Sequence, residues 1–303
     1  MIGLDLLNSI PNLTELRNNK PGYDTRYVID QNHPLHNDPL VDPREPDFGF
    51  DDASSYYAKP NDMTGETLPG VPDAPLIRLD IAHRLVLAEK FLNFDPDVRE
   101  ALGAPVHLRI DDALRPYQVQ EFAFNTAWPM IIKTINPDMS DEEVLAQVPN
   151  YCAQPNANLT PTPHLTGGAV DVALINLETG QAFNRGHQGG KVKGTAYPDF
   201  YENYQSTSDQ SDIAESIDQL KISPEEQKEI ILYRRILYYT MTKIAGLENN
   251  PQEIWHYGKG DPLSEYVSGS HKPYYGIAEL PDWYTEEMQR LQAKSSNSNF
   301  DKN

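Results

Sequence analysis

Two short stretches of this sequence, 162–171 and 253–256, constrain its fold more than any other feature. The first contains His164 and Asp171, which are seven residues apart and would be separated by about 23 Å on an extended strand at about 3.3 Å per residue. Two ligands of one zinc ion lie about 3.4 Å apart, because each is about 2.0–2.1 Å from the metal. If both side chains bind one metal, the chain must turn back between them. The glycine pair at 167–168 can supply that turn, since glycine accepts backbone angles closed to other residues.

The second stretch offers a third ligand and a base. His256 would complete a set of three ligands and leave an open coordination position for water. Glu253 lies three residues earlier, so the two side chains would share a face on a helix and point apart on a flat strand. Pro251 and Trp255 argue against a regular helix, and we expect a strand start or a bulge through which Glu253 approaches the attacking water. As general base, this carboxylate would take a proton from the water and pass it to the leaving amine.

Arg115 lies just beyond a strand that the alternation in 106–111 predicts. A guanidinium there could hold the oxyanion that develops when water attacks an amide. Taken alone, Arg115 is better explained as an ion-pair partner of Asp111 or Asp112. A single histidine or aspartate of the two stretches is likewise more often structural than a metal ligand, so the hypothesis depends on the whole set.

Acidic residues outnumber basic residues by 45 to 25, which gives a formal net charge of −20. Nucleic acid and anionic membranes repel such a chain, so we expect neither as a partner. Cys152 is the only cysteine, which excludes an internal disulfide and fits a reducing compartment. It lies in a Pro/Asn-rich loop without a nucleophile signature, so we interpret it as an inert thiol. We see no signal peptide and no transmembrane segment, and expect a cytoplasmic location, or a periplasmic one if a signal was removed.

Helices and strands are predicted from the spacing of apolar residues and from capping patterns. Helices are expected at 80–92, from Pro116 as first helical residue, from a capping box at 140–143, and from a second capping box at 223–226 to a stop at Gly246. Strands are expected at 23–29, 106–111, 169–175 and 254–257.

The two stretches together resemble the signature of a known family. His164-x-x-Gly-x-Ala-x-Asp171 followed by Glu253-x-Trp-His256 is similar to the motifs of the D-alanyl-D-alanine peptidases that share a fold with the Hedgehog signalling domain. The VanX-type D-Ala-D-Ala dipeptidases are the branch that it resembles most. Three further stretches, in the family's order, support that branch: Asp24–Tyr27, Asp112–Pro116 and Tyr233–Leu237.

The resemblance implies an α+β fold with a central antiparallel sheet flanked by helices. It implies one zinc ion per chain, held by His164, Asp171 and His256, and hydrolysis of the D-Ala-D-Ala dipeptide. Glu253 would be the general base, and Arg115 would stabilise the tetrahedral intermediate. The resemblance also implies that the hydroxyls of Tyr27 and Thr162 help to hold the two ends of the dipeptide.

Within this resemblance, the predicted organisation has three parts. Residues 1–75, rich in Pro, Asn and Asp, form an irregular N-terminal arm packed on the body. Residues 76–290 form the zinc peptidase domain, with a polar insertion at about 181–215. Residues 291–303 form a disordered tail.

The sequence departs from the family pattern at three points. Thr162 and Pro163 replace the usual serine-containing pair before the first histidine, and Ile254 replaces a tryptophan. The stretch between Asp171 and His256 is also longer than the family leads one to expect. Inserted loops line or cover such sites, so these departures bear on the substrate more than on the metal.

Two alternative functions stay open at this stage. One is a D,D-carboxypeptidase or an endolysin-like peptidase acting on peptidoglycan peptides through a more open groove. The other is a non-catalytic zinc-containing binding module. The presence of both Glu253 and Arg115 argues against the second alternative, because a structural zinc ion needs neither.

Overall fold

A five-stranded sheet organises the computed structural model of this chain, which describes residues 9–19, 27–52, 74–155, 160–187, 194–202, 220 and 222–284. The strands are β1 (Leu40–Val41), β2 (Asp51–Asp52), β3 (Ile77–Arg78), β4 (Val106–Asp112), β5 (Ala169–Asn176), β6 (Glu248–Asn249) and β7 (His256–Gly258). The helices are α1 (Thr14–Asn18), α2 (Leu79–Phe94), α3 (Pro96–Leu102), α4 (Tyr117–Phe122), α5 (Trp128–Ile135), α6 (Asp141–Gln147), α7 (Pro224–Tyr239) and α8 (Pro262–Val267). None of the described helices is long and apolar enough to cross a membrane.

Some sequence predictions fall outside the described residues. These are the tail at 291–303, residues 188–193 and 203–215 of the insertion, and the first half of the strand expected at 23–29. The described half of that strand, 27–29, is irregular. The boundaries of the arm and of the peptidase domain stay predictions.

The fold is α+β, as expected. Its main sheet has the strand order β2-β4-β5-β7-β6, and β1 pairs with β3 in a separate antiparallel sheet. The neighbours β4, β5, β7 and β6 are antiparallel, whereas β2 runs parallel to β4 at the edge. The expected antiparallel sheet is therefore correct except at this edge. α2 and α3 lie between β2 and β4 in the chain, and a connection of that length permits parallel pairing.

The two faces of the main sheet have different roles. Alternate residues of β4 and β5, including Leu108 and Val172, are buried in the core against α2 and α7. The opposite face carries Asp171, because neighbouring residues on a strand point to opposite faces. The predicted strands at 106–111 and 169–175 are confirmed and each is one residue longer in the structure. The sheet thus separates the hydrophobic core from the face that bears the candidate metal ligands.

The helix starts agree with the sequence except in detail. The predicted helix at 80–92 is confirmed by α2, and the capping box at Ser140 is present. Pro116 occupies the N-cap position of α4, one residue before the first helical residue, where it was predicted to be the first helical residue itself. Ser223 accepts a hydrogen bond from the backbone N–H of Glu226, but the Glu226 carboxylate accepts a hydrogen bond from Asn184 instead of completing the second capping box.

A buried arginine anchors the described part of the predicted insertion to α7. The Arg234 side chain is almost completely buried, and its guanidinium donates to the carbonyls of Arg185 at 2.8 and 2.6 Å, Tyr197 at 2.7 Å and Thr195 at 2.5 Å. Burial lowers its pKa to about 10, so it stays charged at neutral pH. Three loop carbonyls therefore depend on one side chain of the helix for their hydrogen bonds.

The described part of the N-terminal arm packs beside the second motif. Ile10 and Leu13 form a small apolar cluster with Ile254. Arg17 pairs with the buried Asp199 at 2.6 Å and donates to the carbonyl of Pro251 at 3.2 Å. The arm and the insertion therefore both contact the segment that leads into β7.

We predict that Arg234→Met lowers the free energy of unfolding by about 3 kcal/mol, because three carbonyls would lose their donor. Urea denaturation followed by circular dichroism measures this change. Arg235→Gln is the matched control, since the Arg235 side chain is 32% exposed in its pair with Glu202 and should contribute less, about 1 kcal/mol. Equal losses in the two variants would contradict the anchoring role.

Candidate metal centre

A tight turn brings the first histidine back to the strand that follows it. Pro163–Thr166 form one 3-10 turn, and Gly167 then takes a left-handed φ of 70° before β5 begins. A Cβ on Gly168 would lie 2.7 Å from the backbone oxygen of Lys259, so the close approach of β7 requires glycine there. The expected order of loop histidine, glycine turn and strand carboxylate is present in the structure.

Three potential ligand atoms converge on the sheet face opposite the core. His164 Nε2 lies 3.1 Å from His256 Nδ1 and 3.4 Å from Asp171 Oδ1. His256 Nδ1 and Asp171 Oδ1 are 2.9 Å apart. Tetrahedral zinc ligands at about 2.0–2.1 Å from the metal are separated by about 3.4 Å, so the triangle has nearly the size that the ion requires.

The hydrogen bonding of this triangle also fits a cation. His164 Nδ1 lies 2.8 Å from the carbonyl of Ala113, so it carries the proton and leaves a lone pair on Nε2. The buried Asp171 Oδ1 is an acceptor without a well-oriented hydrogen bond among the described residues, despite its short distance to His256. Acceptors that face one another in a buried place repel unless a cation lies between them. A group of His164, Asp171 and His256 can therefore hold a metal ion.

The ionisation of the group is suited to metal binding. Burial by itself would raise the pKa of Asp171, but His164 and His256 outweigh it and hold that pKa below the ordinary value. Burial lowers the pKa of His256 and is the largest single effect, but the nearby carboxylates of Asp171, Glu253 and Asp261 together outweigh it, so the net pKa is above the ordinary value. The carboxylate is therefore ionised at neutral pH, as a ligand must be, and acid would compete with a metal for His256.

A β-bulge aims a second aspartate at the site. Ile110 and Asp112 pair with consecutive residues of β5, so Asp111 is an extra residue in β4. The bulge turns Asp112 away from the core face that it would otherwise share with Ile110. Its Oδ2 lies 4.0 Å from His164 Nδ1, so this carboxylate contributes to the surroundings of the first ligand.

Arg115 is held beside the candidate ligands by a buried network. Its Nε donates to Asp112 Oδ2 at 2.6 Å, and its Nη1 donates to Gln120 Oε1 at 3.2 Å. Its backbone N–H donates to the carbonyl of His164 at 3.0 Å. The ion-pair interpretation of Arg115 is thus confirmed for Asp112. Gln120 in turn donates to the carbonyl of Ala153 at 2.8 Å and so fixes the guanidinium from its other side.

Cys152 lies beside this network but has no reactive character. It is buried, and Gln120 Nε2 lies 3.3 Å from its Sγ. Burial raises the pKa of the thiol to about 11, so it stays protonated at neutral pH. A protonated buried thiol is a poor nucleophile, which agrees with the interpretation as an inert side chain.

Glu253 reaches the site from a turn instead of a helix. The backbone N–H of His256 donates to the carbonyl of Glu253 at 3.2 Å, and β7 begins at His256. This start agrees with the expected strand start, although the strand predicted at 254–257 is shifted to 256–258. Glu253 Oε2 lies 3.7 Å from His256 Nδ1 and accepts a hydrogen bond from Asn250 at 3.0 Å. With 37% of its side chain exposed, the carboxylate borders both the ligand triangle and solvent.

The two predicted substrate-binding hydroxyls lie in different surroundings. Thr162 immediately precedes the turn of His164, and its Oγ1 is buried without a hydrogen-bond partner among the described residues. Tyr27 lies near Tyr266 of α8. Burial raises the pKa of Tyr27, and the neighbouring Tyr266 adds a smaller effect in the same direction. Thr162 is thus adjacent to the candidate ligands, and the role of Tyr27 stays a prediction.

Sequence reasoning missed two members of the network. Asp112 was considered only as a partner of Arg115, and Gln120 was not considered. A signal for Gln120 exists, since it is a polar side chain next to Val119 in the buried part of a predicted helix, where an amide needs partners. No such signal exists for the bulge, which depends on pairing with β5.

Comparison with known proteins agrees with the motifs. The chain is similar to a protein named D-alanyl-D-alanine dipeptidase from Synechocystis sp., with 29% identity over 184 residues that cover 55% of this chain and 68% of that protein. No protein-family model matches the chain. The name of that relative is the name of a peptide hydrolase, and the described part of this chain brings together a His, Asp and His group that could hold a metal ion. The similarity further supports the assignment of the chain to the VanX-like dipeptidase family.

We predict that zinc stabilises this protein through Asp171. After removal of metal by a chelator, added zinc should raise the melting temperature of the wild type by roughly 5 °C, because a ligand bound only by the folded state stabilises it. Asp171→Asn should abolish that rise. Asp141→Asn, which removes an exposed carboxylate, is the control and should respond like the wild type. A zinc response in Asp171→Asn equal to that of the wild type would exclude Asp171 as a ligand.

Proposed function

We propose that this protein is a zinc-dependent D,D-dipeptidase that hydrolyses free D-Ala-D-Ala on a Hedgehog/DD-peptidase-like fold. The observation that carries the proposal is the meeting of three potential ligand atoms, from His164, Asp171 and His256, with the carboxylate of Glu253 beside them. The name of the Synechocystis relative supports the choice of substrate. A structural zinc site would be closed by a fourth protein ligand, whereas within the part of the chain that the structure describes this group has three members.

In the proposed reaction, His164, Asp171 and His256 hold the zinc ion. When bound, zinc supplies Lewis acidity, which polarises the scissile carbonyl and lowers the pKa of water. The chain contributes the preorganisation. The carbonyl of Ala113 fixes the tautomer and the orientation of His164, so its Nε2 lone pair already points at the other two ligands.

Glu253 would move the protons. Its carboxylate accepts a proton from the attacking water and then delivers it to the nitrogen of the leaving D-alanine. The hydrogen bond from Asn250 holds one carboxylate oxygen towards His256, so the base does not have to be ordered during the reaction. Its partial exposure agrees with a group that must meet water.

Arg115 would stabilise the negative charge that develops on the carbonyl oxygen. Asp112 and Gln120 hold its guanidinium from two sides. A guanidinium held on two sides stabilises a developing charge without first having to reorganise. Thr162, whose buried hydroxyl has no hydrogen-bond partner among the described residues, and Tyr27 are the proposed contacts for the ends of the dipeptide.

The test of this function is the release of D-alanine from free D-Ala-D-Ala, measured beside a cell-wall pentapeptide that ends in D-Ala-D-Ala, with and without a chelator. Rapid, chelator-sensitive cleavage of the dipeptide alone is the expected result. Cleavage of the pentapeptide would favour the D,D-carboxypeptidase alternative. Cleavage of neither, by zinc-loaded protein, would contradict the proposal.

We predict that Glu253→Gln lowers kcat for D-Ala-D-Ala by at least about 100-fold, because general-base catalysis contributes about 10²–10⁴-fold. Zinc content, measured by mass spectrometry of the dialysed protein, should stay that of the wild type. Glu121→Gln on the exposed side of α4 is the control and should leave kcat unchanged. Unchanged turnover in Glu253→Gln would rule out this residue as the base.

We predict that Arg115→Gln lowers kcat by about 10²–10³-fold with a smaller change in KM, because an oxyanion contact acts mainly in the transition state. Arg115→Lys should restore part of the rate. The melting temperature of each variant reports whether loss of the Asp112 pair has disturbed the fold, and Arg99→Gln on the surface of α3 is the control. A change confined to KM would indicate substrate binding instead of transition-state stabilisation.

A further inference from the structure

A second charged cluster lies on the sheet beside the candidate ligands. Arg109 Nε and Nη2 both lie 2.8 Å from Asp111 Oδ1, and Arg185 Nη1 lies 3.3 Å from Asp111 Oδ2. Two guanidinium groups on one carboxylate leave a local net charge of +1, in a chain whose net charge is −20. We name these three residues the arginine cluster. Its side chains are between 20% and 30% exposed, so ligands can reach it.

The register of the sheet places the arginine cluster next to the metal centre. Arg109 pairs with Ala173, which lies two residues from Asp171 on the same face of β5. Asp111 is the bulge residue that directly precedes Asp112. The cluster and the ligand triangle therefore occupy adjacent positions along one face.

Arg185 connects this cluster to the second motif. Its guanidinium lies over the ring of Trp255, 4.7 Å from the ring centroid, and Trp255 immediately precedes His256. Its backbone carbonyl is fixed by two hydrogen bonds from the buried Arg234. The side chain is thus held by a stacked ring and an anchored backbone, which preorganises it for a ligand.

Most of the hydrogen-bonding capacity of Arg185 is not used within the described residues. A guanidinium has five N–H donors, and the hydrogen bond to Asp111 at 3.3 Å is the side-chain contact that the structure gives Arg185 there. Asp111 Oδ1 is already shared by two nitrogen atoms of Arg109. A planar fork with free donors matches a carboxylate, which can accept two of its hydrogen bonds in parallel.

We propose that Arg185, supported by Arg109, binds the free α-carboxylate at the C-terminal end of the substrate. This inference rests on the proposed dipeptidase function. The leaving residue carries both the amine that takes a proton from Glu253 and the terminal carboxylate. Arg185 is stacked on Trp255, which belongs to the same short segment as Glu253, so the proposed carboxylate site adjoins the segment that carries the proposed base. The insertion would in this way supply a specificity contact.

The test compares D-Ala-D-Ala with its C-terminal amide, which keeps the scissile bond and removes the charge. Wild-type kcat/KM should be at least about 10-fold higher for the acid. Arg185→Gln should lower kcat/KM for the acid by about 10- to 100-fold, mainly through KM, and change the amide less than about 3-fold. Arg185→Lys should recover part of the loss. Arg235→Gln, which breaks a comparable pair with Glu202, should behave like the wild type.

Several results would overturn the carboxylate site. One is a wild-type kcat/KM that is no higher for the acid than for the amide. Another is an equal fall of kcat/KM for both compounds in Arg185→Gln, which a structural role would give. The third is a kcat/KM in Arg185→Gln that falls for neither compound. Absence of chelator-sensitive turnover in the wild type would instead overturn the dipeptidase function. In that case, calorimetric titration of Glu253→Gln and of Glu253→Gln/Arg185→Gln measures the affinity for the same two compounds. The carboxylate site requires that Glu253→Gln bind the acid more tightly than the amide and that the double variant lose this difference.

Discussion

The pairing register of β4, β5 and β7 is the constraint on which the site depends. It aligns Asp112 with Asp171 and Asp171 with His256 across three adjacent strands. A slip of one residue would move Asp171 to the core face, where the apolar partners of α2 and α7 lie. The register is held by the burial of the opposite face, so the hydrophobic core determines where the polar groups meet. The glycine turn at 167–168 then returns His164 to the same place.

Bringing these groups together opposes stability unless they are neutralised. A buried carboxylate and two imidazoles lose their water, at a cost of several kcal/mol for an ion, and their lone pairs face one another. The surrounding structure satisfies the groups at the periphery, through the carbonyl of Ala113 and the pair of Asp112 with Arg115. The centre of the triangle is what a cation would satisfy. This division agrees with a rigid scaffold built to hold a cation.

Much of this arrangement could be predicted from the sequence, because local patterns encode it. Alternation predicted β4 and β5, helical spacing predicted α2, and motif spacing with a glycine pair predicted that His164 turns back to Asp171. The bulge at Asp111, the parallel edge strand and the Arg234 contacts could not be predicted. They depend on pairing between residues far apart in the chain, which a single sequence does not specify. The position of Arg185 over Trp255 could not be predicted either, because the residues of the insertion show no apolar periodicity that would indicate where it packs.

The most direct measurement of the central claim is anomalous diffraction from crystals of the zinc-loaded protein, collected on both sides of the zinc absorption edge. The expected result is one peak per chain, within about 2.0–2.2 Å of His164 Nε2, Asp171 Oδ1 and His256 Nδ1, with Glu253 nearby but not coordinated. A zinc ion bound elsewhere, or one that uses Glu253 as a ligand in place of Asp171, would contradict the proposed centre and the role of Glu253 as base.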